Sequence, residues 1–340
     1  MSQSNKLRGQ PFAFGIELTP DQPVADMVDL AVKAEAAQLD AVFISNHFDN
    51  RDPFQVLTAI AQRTDSIQLG PGVMNPYEAH PVRLATQVAT LTETAPGRVV
   101  CGIGAGDRAT LTKLGITQER PVSRTAESIT IIRRLLAGEQ IDMAGIVKAQ
   151  GARLSFTVNS VPIYVGAQGP TMLRMAAVES NGVLINAAHP SDYEHAIVQV
   201  EKGLSARSRP TETFSTIGFV CTSLATDNES AREAATPPTA FITAGAPDHI
   251  LERHGIDDDR VARIRRALET GNHAQAYEAV TDQMRDTFCV AGTPETVKER
   301  LADIARYVDG LVIGSPLGPD RTDSIALLED IKQELTEVEV

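Results

Sequence analysis

The chain has 340 residues, 44 acidic against 31 basic side chains for a formal charge of −13, and a 42% hydrophobic composition. That length supports one large α/β domain or two smaller ones with ample core. The acidic balance argues against sequence-independent binding of nucleic acid or of an anionic membrane, both of which require a basic face. Arg supplies 24 of the 31 cations. Such a surface fits a high-salt or high-GC source, and equally fits ordinary solvated faces.

Cys101, Cys221 and Cys289 are far apart and show no paired Cys or Cys/His spacing, so neither a disulfide framework nor a structural zinc site is expected. Residues 1–11 are polar and expected to be flexible. No run approaches the roughly 18 apolar residues of a membrane helix. A cytoplasmic, soluble protein is the expectation.

Short apolar runs alternate with amphipathic stretches almost throughout, the pattern of parallel βα units. The first predicted strand, residues 12–18, places Glu17 in apolar surroundings. A buried carboxylate is costly unless paired, so Glu17 is either one half of a structural ion pair or a functional group. A helix follows over 24–39, then a strand over 41–45 that runs into a polar loop carrying Asn46 and His47, suited to hydrogen bonding or to holding a ligand. The third strand, 67–73, is punctuated by Gly70, Pro71, Gly72 and Pro76 around Val73 and Asn75, which predicts an irregular strand end such as a bulge.

After a helix over 81–94, the fourth strand, 99–103, leads into Gly104, Ala105, Gly106 and Asp107. Asp107 suits the N-cap of a helix starting near Arg108, or a functional acid at a strand end. The glycine spacing loosely fits a dinucleotide fingerprint. A fourth strand is the wrong place for one, however, and no acid-terminated strand follows within 20 residues.

A helix over 123–136 and an insertion over 139–161, expected as a small hairpin or lid, precede the fifth strand at 162–165. Gly166, Ala167, Gln168 and Gly169 then run into a helix opening at Pro170. Free N–H groups at such a start bind phosphate, and a plain tight turn uses the same glycines. Strands at 182–186, 216–224 and 310–313 complete a set of eight, with a helix over 193–204. Residues 225–292 exceed one crossover and predict extra helices, a natural source of oligomer contacts. Eight strands close a (β/α)8 barrel, here a single domain. No Ser/His/Asp order or metal-ligand helix supports a hydrolase or a metalloenzyme.

Five segments together resemble coenzyme F420-dependent methylenetetrahydromethanopterin reductase, within the bacterial luciferase-like superfamily. They are FGIEL at 14–18, SNHFDNRDPF at 45–54, GPGVMNPYEAHP at 70–81, GIGAGDRATLTKLGI at 102–116, and PIYVGAQGPTMLRMA with GVLINAA at 162–188. The resemblance implies a luciferase-like TIM barrel with reduced F420 at the C-terminal strand ends. It implies a non-prolyl cis peptide at Gly72–Val73 backing the deazaflavin and a coenzyme phosphate held by Gly166, Ala167, Gln168 and Gly169. Asn46, His47, Asn75, Gly104 and Gly106 complete the implied coenzyme site.

Glu17 and Asp107 align with the family's active-site carboxylates, and no metal is implied. The implied substrate is a pterin one-carbon carrier, tetrahydromethanopterin or tetrahydrofolate, and the implied assembly a homodimer or homotetramer. The methylene bridge opens to a reactive iminium only when one nitrogen gains a proton, so an acid is needed beside the hydride path. The alternatives within the fold are an F420-dependent alcohol or sugar dehydrogenase and an FMN monooxygenase; a non-catalytic deazaflavin-binding protein is the third reading.

Overall fold

Alternation along each strand sets the two faces of the sheet. In β1 (Phe14–Leu18) the residues Phe14, Ile16 and Leu18 join the main core with Met27, Leu30 and Ala31 of the helix Val24–Ala36. Gly15 and Glu17 therefore face the opposite side. The computed structural model describes residues 14–208 and 213–337; the expectation for residues 1–11 lies outside them.

The strands that follow are β2 (Ala41–Ile44), β3 (Gln68–Pro71), β4 (Cys101–Gly104), β5 (Ile141–Ala144), β6 (Lys148–Ala152), β7 (Ile163–Gly166), β8 (Gly182–Asn186), β9 (Ser215–Leu224), β10 (Val290–Gly292) and β11 (Gly310–Leu317). Parallel pairing runs β3-β2-β1-β11-β9-β8-β7-β4. Bridges Leu69–Val99 and Met74–Ile103 bring the two ends together, so the eight strands close as a barrel. The expected eight-stranded architecture is the one observed. Helices on the outside commonly open on a proline, as at Pro53, Pro81, Pro121, Pro170, Pro190 and Pro294. Proline suits this place because its missing N–H would have no partner in the first turn.

Inside the barrel, Ala41, Phe43, Val100, Tyr164, Leu184, Ile217 and Val312 form a separate apolar cluster. This plug is a packed interior rather than a pore. Among the described residues no helix is long and apolar enough to cross a membrane. All three cysteines are buried free thiols, and burial pushes the Cys101 thiol up to about 12, in keeping with a small core residue.

The insertion over 139–161 contains the expected hairpin, β5 against β6. Residues 225–292 hold five helices, from Asn228–Gly245 to Asp282–Phe288, around a core of their own that includes Leu251, Ile264, Met284 and Phe288. Two departures concern the last strands. β10 is an extra strand that pairs with the outer end of β9; three residues are too few for a periodic signal. β11 continues past the expected 313 to Leu317, through a register shift and a cis Ser315–Pro316 bond.

Candidate active site

The C-terminal ends of the strands open onto an apolar floor. Phe43 of β2 and Phe219 of β9 meet edge to face with centroids 5.7 Å apart, and Val73 packs beside them. The Gly72–Val73 peptide bond is cis. A Cβ on Gly72 would lie 3.1 Å from the Phe219 ring and 3.2 Å from Phe43. On the neighbouring strands, a Cβ at Gly104 or Gly166 would lie 2.8 or 3.2 Å from a Val73 methyl. Side chains at these three positions would crowd the floor; glycine leaves it open.

Glu17 is level with this floor. It pairs in register with Phe43, and only 8% of it is exposed. One oxygen, Oε2, accepts a hydrogen bond from the backbone N–H of Ser315 at 3.0 Å. Among the described residues no cation lies within ion-pair distance of it. The ion-pair alternative for Glu17 therefore has no partner, and what remains is a carboxyl at the barrel mouth with a single neutral donor. Ser315 was not singled out by sequence reasoning. The Gly-Ser-Pro run after an apolar strand was the available signal, but it reads as a simple strand stop.

The loops after β2, β3 and β4 are tied into one rim. Glu78 accepts from Asn46 Nδ2 at 3.2 Å and from Asn75 Nδ2 at 2.7 Å, while Asn75 Oδ1 accepts from the backbone N–H groups of Tyr77 and Glu78. Gly106 takes a φ of +74°, open to glycine at little cost, with the Asn75 side chain against it. Gln118 donates to the carbonyls of both Ala105 and Gly106 at 2.9 Å. Glu78 and Gln118 were missed by sequence reasoning because the bonds by which they join one loop to another, with Asn46 and with Ala105, span 32 and 13 residues. His47 is exposed in the β2 loop and joins none of these bonds.

Asp107 behaves differently from Glu17. It is exposed, and its Oδ2 accepts from the N–H of Thr110 at 2.6 Å, capping the short helix Arg108–Lys113. The capping alternative describes it fully in this structure. A cleft of about 450 Å3 lined by Arg108, Thr112 and Gly115 to Gln118 adjoins this helix, apart from the floor.

Across the mouth, β7 delivers Gly166, buried Ala167, Gln168 and Gly169. Gln168 donates to the Asn186 carbonyl at 2.6 Å, pinning the loop to β8. Gly169 is the N-cap of the helix Pro170–Glu179, no side chain caps it, and a Cβ there would meet nothing within 4 Å. These residues fit a phosphate-bearing planar coenzyme: an open, glycine-cleared apolar shelf with an uncapped helix start beside it. Among the described residues no group of three or more His, Cys, Asp or Glu is placed to hold a metal ion.

Comparison with known proteins gives the same picture. The family model described as luciferase-like monooxygenase matches residues 10–309. The 5,10-methylenetetrahydromethanopterin reductase of Archaeoglobus fulgidus is 41% identical over 321 residues, covering 93% of this chain and 97% of that one. The solved structure of the coenzyme F420-dependent tetrahydromethanopterin reductase of Methanopyrus kandleri superposes with a TM-score of 0.86 at 34% identity, covering 94% of this chain and 98% of that one. An F420-dependent glucose-6-phosphate dehydrogenase of Microbacterium testaceum is more distant, at 29% identity over 88% of this chain and 89% of that one. By these matches the chain belongs to the luciferase-like family and, within it, to the 5,10-methylenetetrahydromethanopterin reductases.

Proposed function

We propose that this chain reduces the methylene group of 5,10-methylenetetrahydromethanopterin to the methyl form, using reduced coenzyme F420. The observation that carries this reading is the 41% identity spread over 97% of the Archaeoglobus reductase. When bound, the deazaflavin supplies the hydride, since its ring has carbon where a flavin has N5.

The chain's own residues have three tasks. The Gly72–Val73 shelf, with Gly104, Gly106 and Gly166 clearing space and the Asn46–Glu78–Asn75 rim beside it, holds the coenzyme ring. Ala167, Gln168 and Gly169 hold its phosphate at the helix start. Glu17 protonates one nitrogen of the methylene bridge; the C–N bond breaks with its electron pair going to that nitrogen, leaving an iminium carbon to receive hydride. The apolar floor excludes water from that carbon, and a rigid barrel mouth keeps donor and acceptor at the roughly 3–3.5 Å that transfer needs. Asp107 fixes the β4 loop through its cap, and is the second candidate for the acid.

Methylenetetrahydrofolate presents the same bridge, so the same acid serves it. A cytoplasmic homodimer or homotetramer is part of this reading. Phe241, 51% exposed on the helix Asn228–Gly245, supports a subunit contact within 225–292. A mass of 36.5 kDa by light scattering at micromolar concentration would refute assembly.

The deciding assay follows loss of reduced F420 absorbance with the two methylene carriers offered separately. Turnover of methylenetetrahydromethanopterin is expected. Turnover of a sugar phosphate or alcohol alone would make the chain a dehydrogenase, tight FMN binding would make it a monooxygenase, and F420 binding without any turnover would make it a binding protein.

A further inference from the structure

The seat of Glu17 is built by the last strand of the barrel, outside the five short segments that carried the resemblance in the sequence. Gly314 stands beside Glu17: a Cβ at 314 would lie 3.3 Å from Glu17 Oε2 and 3.2 Å from the Val220 carbonyl. Contacts that tight require something to give by a few tenths of an ångström: the Val220 carbonyl is β9 backbone, so a side chain at 314 would push β11 itself aside as well as crowd the Glu17 carboxyl. The Ser315 N–H holds Oε2 at 3.0 Å, and the Ser315 hydroxyl is fixed in turn by a 3.0 Å bond from Thr19 Oγ1, one residue beyond β1.

Cys221 pairs in register with Gly314 on the far side. Its hydrogen bond with Cys289 and its burial keep it a neutral thiol, so it adds no charge to the seat.

We infer that Gly314 and Ser315 are positioning residues that orient the acid, with Ser315 engaging Oε2 so that Oε1 carries the proton delivered to the bridge nitrogen. This rests on Glu17 being the acid of the proposed reaction. As the proton leaves Oε1, negative charge spreads over both oxygens. The N–H bond to Oε2 becomes charge-assisted at that moment, and a donor already in place strengthens without rearrangement. Gly314 keeps Oε2 within reach of that donor. Sequence separation explains why the pairing was hidden: Glu17 and Ser315 are 298 residues apart.

The test is a set of double-mutant cycles with Gly314→Ala and Thr19→Val, each made alone and in a Glu17→Gln background. Gly314→Ala is expected to lower kcat about tenfold, with KM for the pterin within about twofold of wild type. Thr19→Val, which cannot crowd anything, is expected to lower it about threefold. Neither should lower turnover further when Glu17 is already Gln.

An infrared difference spectrum of the coenzyme-free protein, wild type minus Glu17→Gln, isolates the Glu17 carboxyl band; Gly314→Ala should shift that band. Effects that multiply with Glu17→Gln, or a band that stays in place, would overturn the inference, and the Thr19→Val cycle decides the matter should Gly314→Ala fail to fold. Wild-type protein inactive on both methylene carriers would instead overturn the proposed reaction, while the infrared shift still judges the seat.

Discussion

Glu17 and Asp107 each stand at the end of an apolar strand, yet the barrel treats them in opposite ways. Glu17 alternates inward, is buried at the level of Phe43 and Phe219, and receives one backbone N–H. Asp107 lies three residues past the last residue of β4, in solvent, occupied with the N–H of Thr110. A carboxylate's place on a pleated strand, not the glycines around it, decides whether it meets the floor of the site. A third acid sharpens the contrast. Asp192 is as buried as Glu17, but it is met by Arg253 at 2.6 Å and His254 at 2.9 Å. One guanidinium and one imidazole N–H make Asp192 a structural clasp between the barrel and the helical insertion; Glu17, held by a single backbone N–H, is left to the proton transfer proposed above.

The largest expected effect is at Glu17. Glu17→Gln keeps shape and the Ser315 bond but loses the acidic proton, so turnover should fall by roughly 10²–10⁴ in a steady-state assay. Both ligands should still bind by calorimetry and the melting temperature should hold. If Glu17 instead served an ion pair, melting temperature would fall before rate did.

Asp192→Asn comes next and should act on stability alone. It leaves Arg253 in a mostly buried setting without its carboxylate, a loss of about 3 kcal/mol in denaturant unfolding. Burial by itself raises the Asp192 pKa, but the bonds from His254 and Arg253 outweigh it and hold the carboxyl below its ordinary range. A lowered folded pKa contributes stability that is complete above the unfolded value near 3.9 and fades as pH falls toward the lower folded value. The wild-type melting temperature should therefore drop below about pH 4, and Asp192→Asn should flatten that limb.

Gly169→Asp should weaken F420 binding about tenfold, near 1.4 kcal/mol, by placing a carboxylate where we propose the phosphate is held. The open space around Gly169 leaves no steric cause for misfolding. Unchanged affinity would move the phosphate elsewhere. The smallest effect belongs to Asp107→Asn. Losing a surface N-cap should cost about 1 kcal/mol or less, with turnover close to wild type.

Much of this was legible along the chain because local chemistry specifies it. The apolar runs at β1, β2, β7 and β8, the helices opening at Pro81 and Pro170 and the Asp107 cap all depend on neighbours within a few residues, whereas the helices expected from 123 and 193 in fact open at Pro121 and Pro190. The coenzyme shelf was legible only through its family resemblance: nothing in the residues 72 and 73 by themselves specifies a cis bond. The seat of Glu17 was not legible at all. It forms where the last strand closes the barrel against the first, and Pro316 reads as a strand terminator although β11 runs through it to Leu317. Contacts made by ring closure join the two ends of the sequence, where no local pattern records them.

A structure of the protein with oxidised F420 and the methylene pterin both bound tests the central claim most directly. Glu17 Oε1 should lie within about 2.6–3.2 Å of a bridge nitrogen, with Oε2 still on the Ser315 N–H and Asp107 still on Thr110. A bridge nitrogen bonded to Asp107, or one with Glu17 turned away beyond the reach of a single water, would contradict it.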